Sequence, residues 1–109
     1  MTSKTIGCMR SRLSLEAPVD MTDDTGGVAR SYIAQAVVWG AIMPAAASDR
    51  FVAERMEQTI THAIRLRFRA GLTGAMRLRL GTRIFLIHGV EDVDESRRFV
   101  LCHCEEIRP

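Results

Sequence analysis

The stretch that decides the fold is residues 76–106, which reads MRLRLGTRIFLIHGVEDVDESRRFVLCHCEE. Three apolar runs with period-two character are separated by a turn at Gly81 and Thr82 and by an acidic turn over residues 91–95. Alternating apolar residues between short turns predict an antiparallel meander of three strands. The middle run is apolar on both faces, so we expect it to be the most buried strand.

Two further strands are expected upstream of the meander. Residues 11–19 alternate between apolar and polar side chains, and Pro18 is predicted to end that strand. Residues 30–42 resume a strand pattern, in which Trp39 is most simply a core or barrel-edge anchor and less often an interface residue. Between them, the acidic and glycine-ended residues 20–29 predict a long, mobile loop, of the kind that is often functional.

A short helix is predicted at about residues 48–58, with Ser48 or Asp49 as its N-cap. Phe51, Val52 and Met56, with Arg55 between them, lie at helical spacing and predict an apolar stripe that covers the sheet. Residues 59–69 alternate almost without a break and predict the third strand. Residues 70–75 contain two glycines and form the loop into the meander.

These elements predict a mainly all-β fold: a small antiparallel β-barrel or sandwich of about six strands, with one short α-helix between the second and third strands. The 109 residues suffice for one domain with one modest core. We expect residues 1–10 to be a flexible N-terminal tail and residues 11–109 to be a single β-barrel domain. The longest apolar stretch, residues 34–47, is interrupted by Gln35, Gly40 and Pro44 and is too short to span a bilayer, so no membrane association is expected.

The three cysteines are Cys8, Cys102 and Cys104. An odd number, with no apolar signal sequence near the N-terminus, predicts reduced thiols in a cytoplasmic setting. On a strand Cys102 and Cys104 share one face while His103 points away, so these residues do not converge as zinc ligands require. Buried thiols packed as small apolar groups are the preferred interpretation.

Arginine accounts for 14 of the 15 basic residues, although the net charge is only +2. Arginines recur along one face of the third strand and on the first meander strand, at Arg65, Arg67, Arg69, Arg77 and Arg79. If these strands pair, their guanidinium groups share one outer surface that could bind the phosphates of a nucleic acid. The other interpretation is a solvated face, or a face that meets acidic residues of a neighbouring subunit.

No catalytic, cofactor or metal site is predicted. The acidic turn with Asp92, Asp94 and Glu95 lacks the ligand spacing of an EF-hand, and local charge pairing with Arg97 and Arg98 is the simpler expectation. No nucleophile elbow or glycine-rich phosphate loop is present in the sequence. We therefore do not expect an enzyme.

The order of these patterns resembles the tailed-phage head–tail joining proteins, also called head closure, stopper or head–tail adaptor proteins. The resemblance spans roughly residues 10–106. It is carried by WGAIMP at 39–44 with the following Arg50 and Phe51, THAIRLRFR at 61–69, GTRIFLIHGV at 81–90, DVDESRR at 92–98 and LCHCEE at 101–106.

The resemblance implies a structural connector that forms a ring of six or twelve copies between the head and the tail of a phage-like particle. Its implied partners are its own copies, a portal or adaptor protein above, a tail terminator or tail tube protein below, and packaged double-stranded DNA in the channel. A phage, a prophage or a gene transfer agent would be the origin, with assembly in the bacterial cytoplasm. A small nucleic-acid-binding barrel that uses the arginine rows is the alternative.

The resemblance also assigns roles to two groups of residues. Candidates for contact with the channel or the neighbouring ring lie in the acidic loop, at Asp20, Asp23, Asp24, Gly26 and Gly27. Candidates for contact between subunits lie in the arginine rows and the acidic turn, at Arg65, Arg67, Arg69, Arg77, Arg79, Asp92, Asp94 and Glu95.

Overall fold

The computed structural model describes residues 11–22, 26–92, 95 and 97–107. In chain order the elements of this part are β1 (Ser11–Thr22), β2 (Val28–Pro44), α1 (Ala47–Arg55), β3 (His62–Arg67), β4 (Arg77–Leu80), β5 (Arg83–Asp92) and β6 (Phe99–Ile107). The strands close into an antiparallel barrel in the order β1-β2-β3-β6-β5-β4. The predicted six-stranded barrel with a helix between the second and third strands is confirmed, and so is the consecutive pairing of β4, β5 and β6.

The core is the interior of this barrel, filled by one apolar face of each strand. Its fully buried members are Leu13, Leu15, Ile64, Leu66, Leu78, Phe85, Ile87, Cys102 and Cys104. On β5, Phe85 and Ile87 point inward, whereas Ile84 and Leu86 lie on the outer face and are only half-buried. A barrel of this size has a single interior, so an apolar residue on the outer face of its central meander strand keeps some exposure.

Gly40 of β2 lies inside the barrel, where there is no room for a side chain. A Cβ atom there would come within 2.7 Å of Cδ2 of Leu66 and 2.9 Å of Cδ1 of Leu13. Both leucines are fully buried, so they cannot swing away from such an atom into solvent. The absence of a side chain at position 40 therefore lets β2 approach the core closely.

The strands β1 and β2 extend past the barrel as a two-stranded arm. In the described residues β1 pairs with β4 only over Ser14–Glu16, and β2 pairs with β3 only over Gly40–Pro44, yet β1 and β2 stay paired as far as Thr22 and Val28. The predictions that Pro18 ends β1 and that residues 20–29 are all loop are therefore wrong. Pro18 is tolerated because β1 is an edge strand at that point.

Each of two strands carries one extra residue that redirects its side chains. Leu15 faces Ala36 while Glu16 faces Ala34, which leaves Gln35 as a bulge in β2. Similarly, Ile87 faces Cys104 while Gly89 faces His103, which leaves His88 as a bulge in β5. Because a bulge shifts the alternation of a strand, residues on the two sides of it exchange faces.

The helix α1 differs from the prediction at its start and in its packing. It begins at Ala47 after the N-cap residue Ala46, which has no side-chain cap, so neither Ser48 nor Asp49 is the N-cap. Its buried contact is Ala53, which packs with Ala45 and Ile60. The small alanine allows close approach, and the predicted stripe of larger apolar residues does not cover the sheet. No helix in the described ranges is long and apolar enough to cross a membrane.

Candidate functional site

The two arginine rows lie on opposite walls of the barrel. Arg65 and Arg67 belong to β3, and Arg77 and Arg79 belong to β4. In the strand order β1-β2-β3-β6-β5-β4, two strands separate β3 from β4 in either direction around the barrel. These strands do not pair, so the condition for one shared arginine surface is not met. This arrangement argues against a nucleic-acid site built from both rows.

The β4 row is largely occupied by contacts within the chain. Arg77 lies opposite Glu16 in the β1–β4 register, and its Nε donates a hydrogen bond to Oε1 of that carboxylate. The Arg77 guanidinium also stacks 4.0 Å from the ring centroid of Tyr32. Arg79 is more exposed, with its Nη1 atom 3.7 Å from Oε2 of Glu16. Arg77 thus has a structural role in closing the barrel.

The Gln35 bulge explains why Tyr32 takes part in this cluster. Past the bulge, Tyr32 pairs with Pro18 on the outer face, which is the same face that carries Glu16. Glu16 is 6% exposed and is the buried charged residue of the described part of the chain. A buried carboxylate requires a partner, and Arg77 with its planar guanidinium supplies one. In the alternating pattern of residues 11–19, Glu16 falls among the polar positions, so the sequence gave no sign of this cluster.

The β3 row is more open. The Arg65 guanidinium lies 4.7 Å from the ring centroid of Phe99, and its Nε is buried without an acceptor in the described part of the chain. Arg67 and Arg69 are exposed. Arg67 and Arg69 are therefore accessible to another molecule.

The acidic turn between β5 and β6 is only partly described. Asp92 accepts a hydrogen bond of 3.3 Å from the backbone N–H of Arg97, and the Arg97 guanidinium lies 5.9 Å from the Phe68 ring. Glu95 is exposed, with a backbone φ of 56°. Asp94 lies outside the described residues. The bond between Arg97 and Asp92 comes from the backbone, so the predicted pairing of side-chain charges at this hairpin stays a prediction.

The end of the arm carries an ion pair between β1 and β2. Nε of Arg30 donates a hydrogen bond of 2.8 Å to Oδ1 of Asp20, directly across the β1–β2 ladder. This contact lowers the pKa of the Asp20 carboxyl below its ordinary value. Gly26 and Gly27 are exposed, and Gly26 has a positive φ of 85°. Asp23 and Asp24 lie outside the described residues.

A charged cluster closes one end of the barrel interior. The Arg83 guanidinium forms two hydrogen bonds with Glu106, of 2.9 and 3.1 Å, and lies 4.8 Å from the Phe85 ring centroid. The His62 ring packs edge-on against Phe85, with centroids 5.4 Å apart. The backbone N–H of Glu106 donates a 2.7 Å hydrogen bond to Oγ1 of Thr61. This arrangement covers the core residue Phe85 with satisfied polar groups, which is a structural role.

A cleft lies between α1 and the outer face of β5 and β6. Its volume is about 280 Å³, and we call it the α1 cleft. The side nearest the helix is apolar, with Val52, Ala53 and Met56, and the strand side presents His88 and His103. Sequence reasoning missed this cleft because it depends on the His88 bulge, which turns both His88 and Gly89 outward.

Each histidine of the α1 cleft has a carboxylate partner. Nε2 of His88 is 2.9 Å from Oε1 of Glu105, and Nε2 of His103 is 3.1 Å from Oε1 of Glu91. Asp49 also lines the cleft. Over the described residues, no group of three or more metal-ligating side chains converges here or elsewhere. The cleft is therefore apolar along the helix, with Asp49 in its lining and two further carboxylates bound to its histidines.

The thiols of Cys102 and Cys104 are fully buried in the core, as predicted. Burial raises the pKa of Cys102 to about 12 and raises the pKa of Cys104 as well. Thiolate is the reactive form of cysteine, so these residues serve as packing groups. Cys8 lies outside the described residues.

Among the described residues, β2 and α1 each carry a group of exposed apolar side chains. On β2, Val37 and Trp39 point outward and are 54% and 55% exposed. On α1, Phe51, Val52 and Met56 are more than half exposed. The main expectation for Trp39, a core or barrel-edge anchor, does not fit this exposure, whereas the interface role does.

The sequence matches the family model of the phage head completion proteins over residues 5–107. This match confirms the resemblance drawn from the strand and turn patterns. No curated protein matches the chain significantly.

The fold is shared with solved structures. The solution structure of protein SF1141 from Shigella flexneri 2a is similar with a TM-score of 0.71 and 20% identity, covering 94% of this chain and 96% of that one. A chain in the virion of the native gene transfer agent particle is similar with a TM-score of 0.65 and 22% identity, covering 92% of this chain and 96% of that one. At identities this low, the structural similarity shows that the fold is shared.

Proposed function

This chain belongs to the phage head completion protein family, and from that premise we propose that its copies form a ring that joins the head of a phage-like particle to its tail. Membership identifies a structural protein of the virion rather than an enzyme. The observation that carries the proposal is the family match over residues 5–107, which includes every strand of the barrel. The match identifies the family, and the ring is the part that we propose.

The proposed ring lies between a portal or adaptor protein above and a tail terminator or tail tube protein below. Six or twelve copies would match the symmetry of such neighbours. Packaged double-stranded DNA would pass through its centre. The similarity to a chain of a gene transfer agent virion supports a phage-like particle as the setting.

The arm formed by β1 and β2 is the element best suited to reach beyond the ring. Past Glu16 it pairs only with itself among the described residues, so it extends away from the barrel that anchors it. Asp20 lies on β1 near the end of the arm, and Asp23 and Asp24 lie in the stretch that connects β1 to β2. Carboxylates repel DNA phosphates, so a turn facing the channel would help to close or line the channel rather than grip DNA.

The experiment is to remove the chain from the particle and examine the products by electron microscopy. We expect filled heads and separate tails that fail to join, with joining restored when the chain is supplied again. Subunit-resolution images of complete particles should then show this barrel as a ring at the junction. Normally joined particles without the chain would contradict the proposal.

The arm is tested separately by deleting residues 23–27. We expect particles that assemble but retain DNA less well, measured as the fraction of filled heads. Particles that assemble and retain DNA normally would remove the channel role from this turn while leaving the connector role intact.

A further inference from the structure

Opposite walls of the barrel carry two apolar surfaces that complement each other. We propose that adjacent copies of this chain join by placing Trp39 of one copy in the α1 cleft of the next. This inference rests on the proposed ring and specifies the contact that builds it.

The first surface is the outward face of β2 at Val37 and Trp39. Both side chains are more than half exposed, and an exposed tryptophan next to an exposed valine is costly to leave in water. Tryptophan is also among the residues most enriched at the centres of protein interfaces. Arg12 lies opposite Trp39 in the β1–β2 register and is exposed, so the apolar pair is flanked by positive charge.

The second surface is the α1 cleft on the far side of the barrel. Its apolar wall includes Val52 and Met56, and Met56 is 64% exposed. Its volume of about 280 Å³ gives room for a large side chain. A methionine is well suited to such a wall because its flexible chain adapts to the shape of an inserted ring.

The charges of the two surfaces are opposite. Arg12 has no ionic partner among the described residues, whereas Asp49 lines the cleft and the Glu91 and Glu105 carboxylates are bound to the histidines at its strand side. When Trp39 enters the cleft, Arg12 is carried towards these carboxylates. Complementary charges around an apolar centre favour one orientation of the two copies.

The position of the two surfaces also fits a ring. In the strand order β1-β2-β3-β6-β5-β4, β2 and β5 are three places apart, which puts them on opposite walls of a six-stranded barrel. A contact between two different surfaces is heterologous, and repeating it adds a copy at each step until the rotation closes. Two copies joined through the same surface would instead stop at a dimer.

The test is chemical cross-linking of assembled particles. Cys8→Ser removes the one cysteine outside the buried pair, and Val37→Cys and Met56→Cys are then introduced together in the full chain, so that Trp39 itself is kept. With a short bis-maleimide we expect a ladder of covalent multimers that ends at the copy number of the ring. Ile33→Cys with Met56→Cys is the matched control, because Ile33 is equally exposed but lies beyond the Gln35 bulge on the other face of β2.

Three results separate this contact from the proposed function. A ladder from Val37→Cys with Met56→Cys, and none from the Ile33 control, supports the contact. Dimers from Val37→Cys alone, or no ladder in particles whose micrographs show the ring, would overturn the contact and leave the connector role standing. Absence of the chain from the head–tail junction would overturn the connector role itself.

A second measurement does not depend on cross-linker geometry. We expect Trp39→Ala to lower the yield of joined particles at least tenfold while the melting temperature of the purified chain stays unchanged. Ile33→Ala should leave both quantities unchanged. Equal yields from Trp39→Ala and the unaltered chain would count against the contact.

Discussion

Glu16 and Arg77 face each other across the short β1–β4 ladder, the pairing that closes the barrel. The Glu16 carboxylate is buried and accepts a hydrogen bond from Nε of Arg77, whose guanidinium is stacked on Tyr32. The β1–β4 register extends over only three residue pairs, so it offers few backbone hydrogen bonds. The side-chain ion pair therefore stabilises the shortest strand pairing of the barrel.

Replacing Arg77 should destabilise the fold more than replacing its neighbour on the same strand. Arg77→Met leaves the Glu16 carboxylate buried without its main partner, and we expect a loss of about 3 kcal/mol in the free energy of unfolding. Arg79→Met is the control, since Arg79 is more exposed and contacts Glu16 only at 3.7 Å, and its cost should stay below about 1 kcal/mol. Urea denaturation of both variants measures the difference. Equal losses would mean that the ion pair is not what secures β4.

Gly40 should not tolerate a methyl group. Gly40→Ala places a Cβ against the buried side chains of Leu66 and Leu13, and overpacking of this kind costs about 1–3 kcal/mol. Gly89→Ala is a fair comparison, because a Cβ there meets nothing within 4 Å and the backbone φ is not positive. Thermal unfolding should show a lower midpoint for the first variant and little change for the second. If the midpoint of Gly40→Ala equals that of the unaltered chain, the core has room for a methyl group at this point.

The buried thiols should make the fold less stable at alkaline pH. The pKa of Cys102 rises from 9.0 to about 12 on burial, so the folded state keeps a proton that the unfolded state loses above pH 9. Stability therefore falls as pH rises between 9 and 12, by about 1.4 kcal/mol per pH unit for this thiol.

The alkaline loss is measured by comparing the unaltered chain with Cys102→Ala. The difference in unfolding free energy between the two proteins should be smaller at pH 10 than at pH 7.5, because the alanine variant lacks the titrating thiol. Identical slopes against pH would show that Cys102 contributes nothing to the alkaline loss.

Charge reversal should separate the two arginine rows. Arg67→Glu alters an exposed side chain of β3, so we expect the purified chain to fold normally while particle assembly decreases. Arg77→Glu places a second carboxylate beside buried Glu16, so we expect loss of the folded barrel itself. Circular dichroism reports folding, and electron microscopy reports joined particles. Normal assembly with Arg67→Glu would remove the subunit contact predicted for that residue.

The local patterns were sufficient for the strands that line the core. Leu13 and Leu15, Ile64 and Leu66, and the alternating Cys102 and Cys104 all face inward as their period-two spacing predicts. Local patterns also predicted that β4, β5 and β6 pair in chain order, because strands joined by short turns lie next to each other. The family followed from the same patterns taken in sequence.

The helix shows where local periodicity fails. Spacing correctly groups Phe51, Val52 and Met56 on one part of the helix surface, but it cannot say which side of the helix meets the barrel. The residue of α1 that is buried is Ala53, whose small side chain allows the helix to approach Ala45 and Ile60. The larger apolar residues were left exposed, and this exposure is what makes them candidates for contact with another copy.

By itself, the sequence determined that the chain forms a small antiparallel barrel and which face of most strands is buried, because both depend on residue spacing along a single strand. The tertiary structure alone decided which surfaces come together. Closure of β1 on β4 separated the arginine rows and buried Glu16 under Arg77. The bulges at Gln35 and His88 reversed the alternation at points that no period-two pattern marks. Such relationships depend on how distant strands pair, and pairing is settled only when the whole barrel closes.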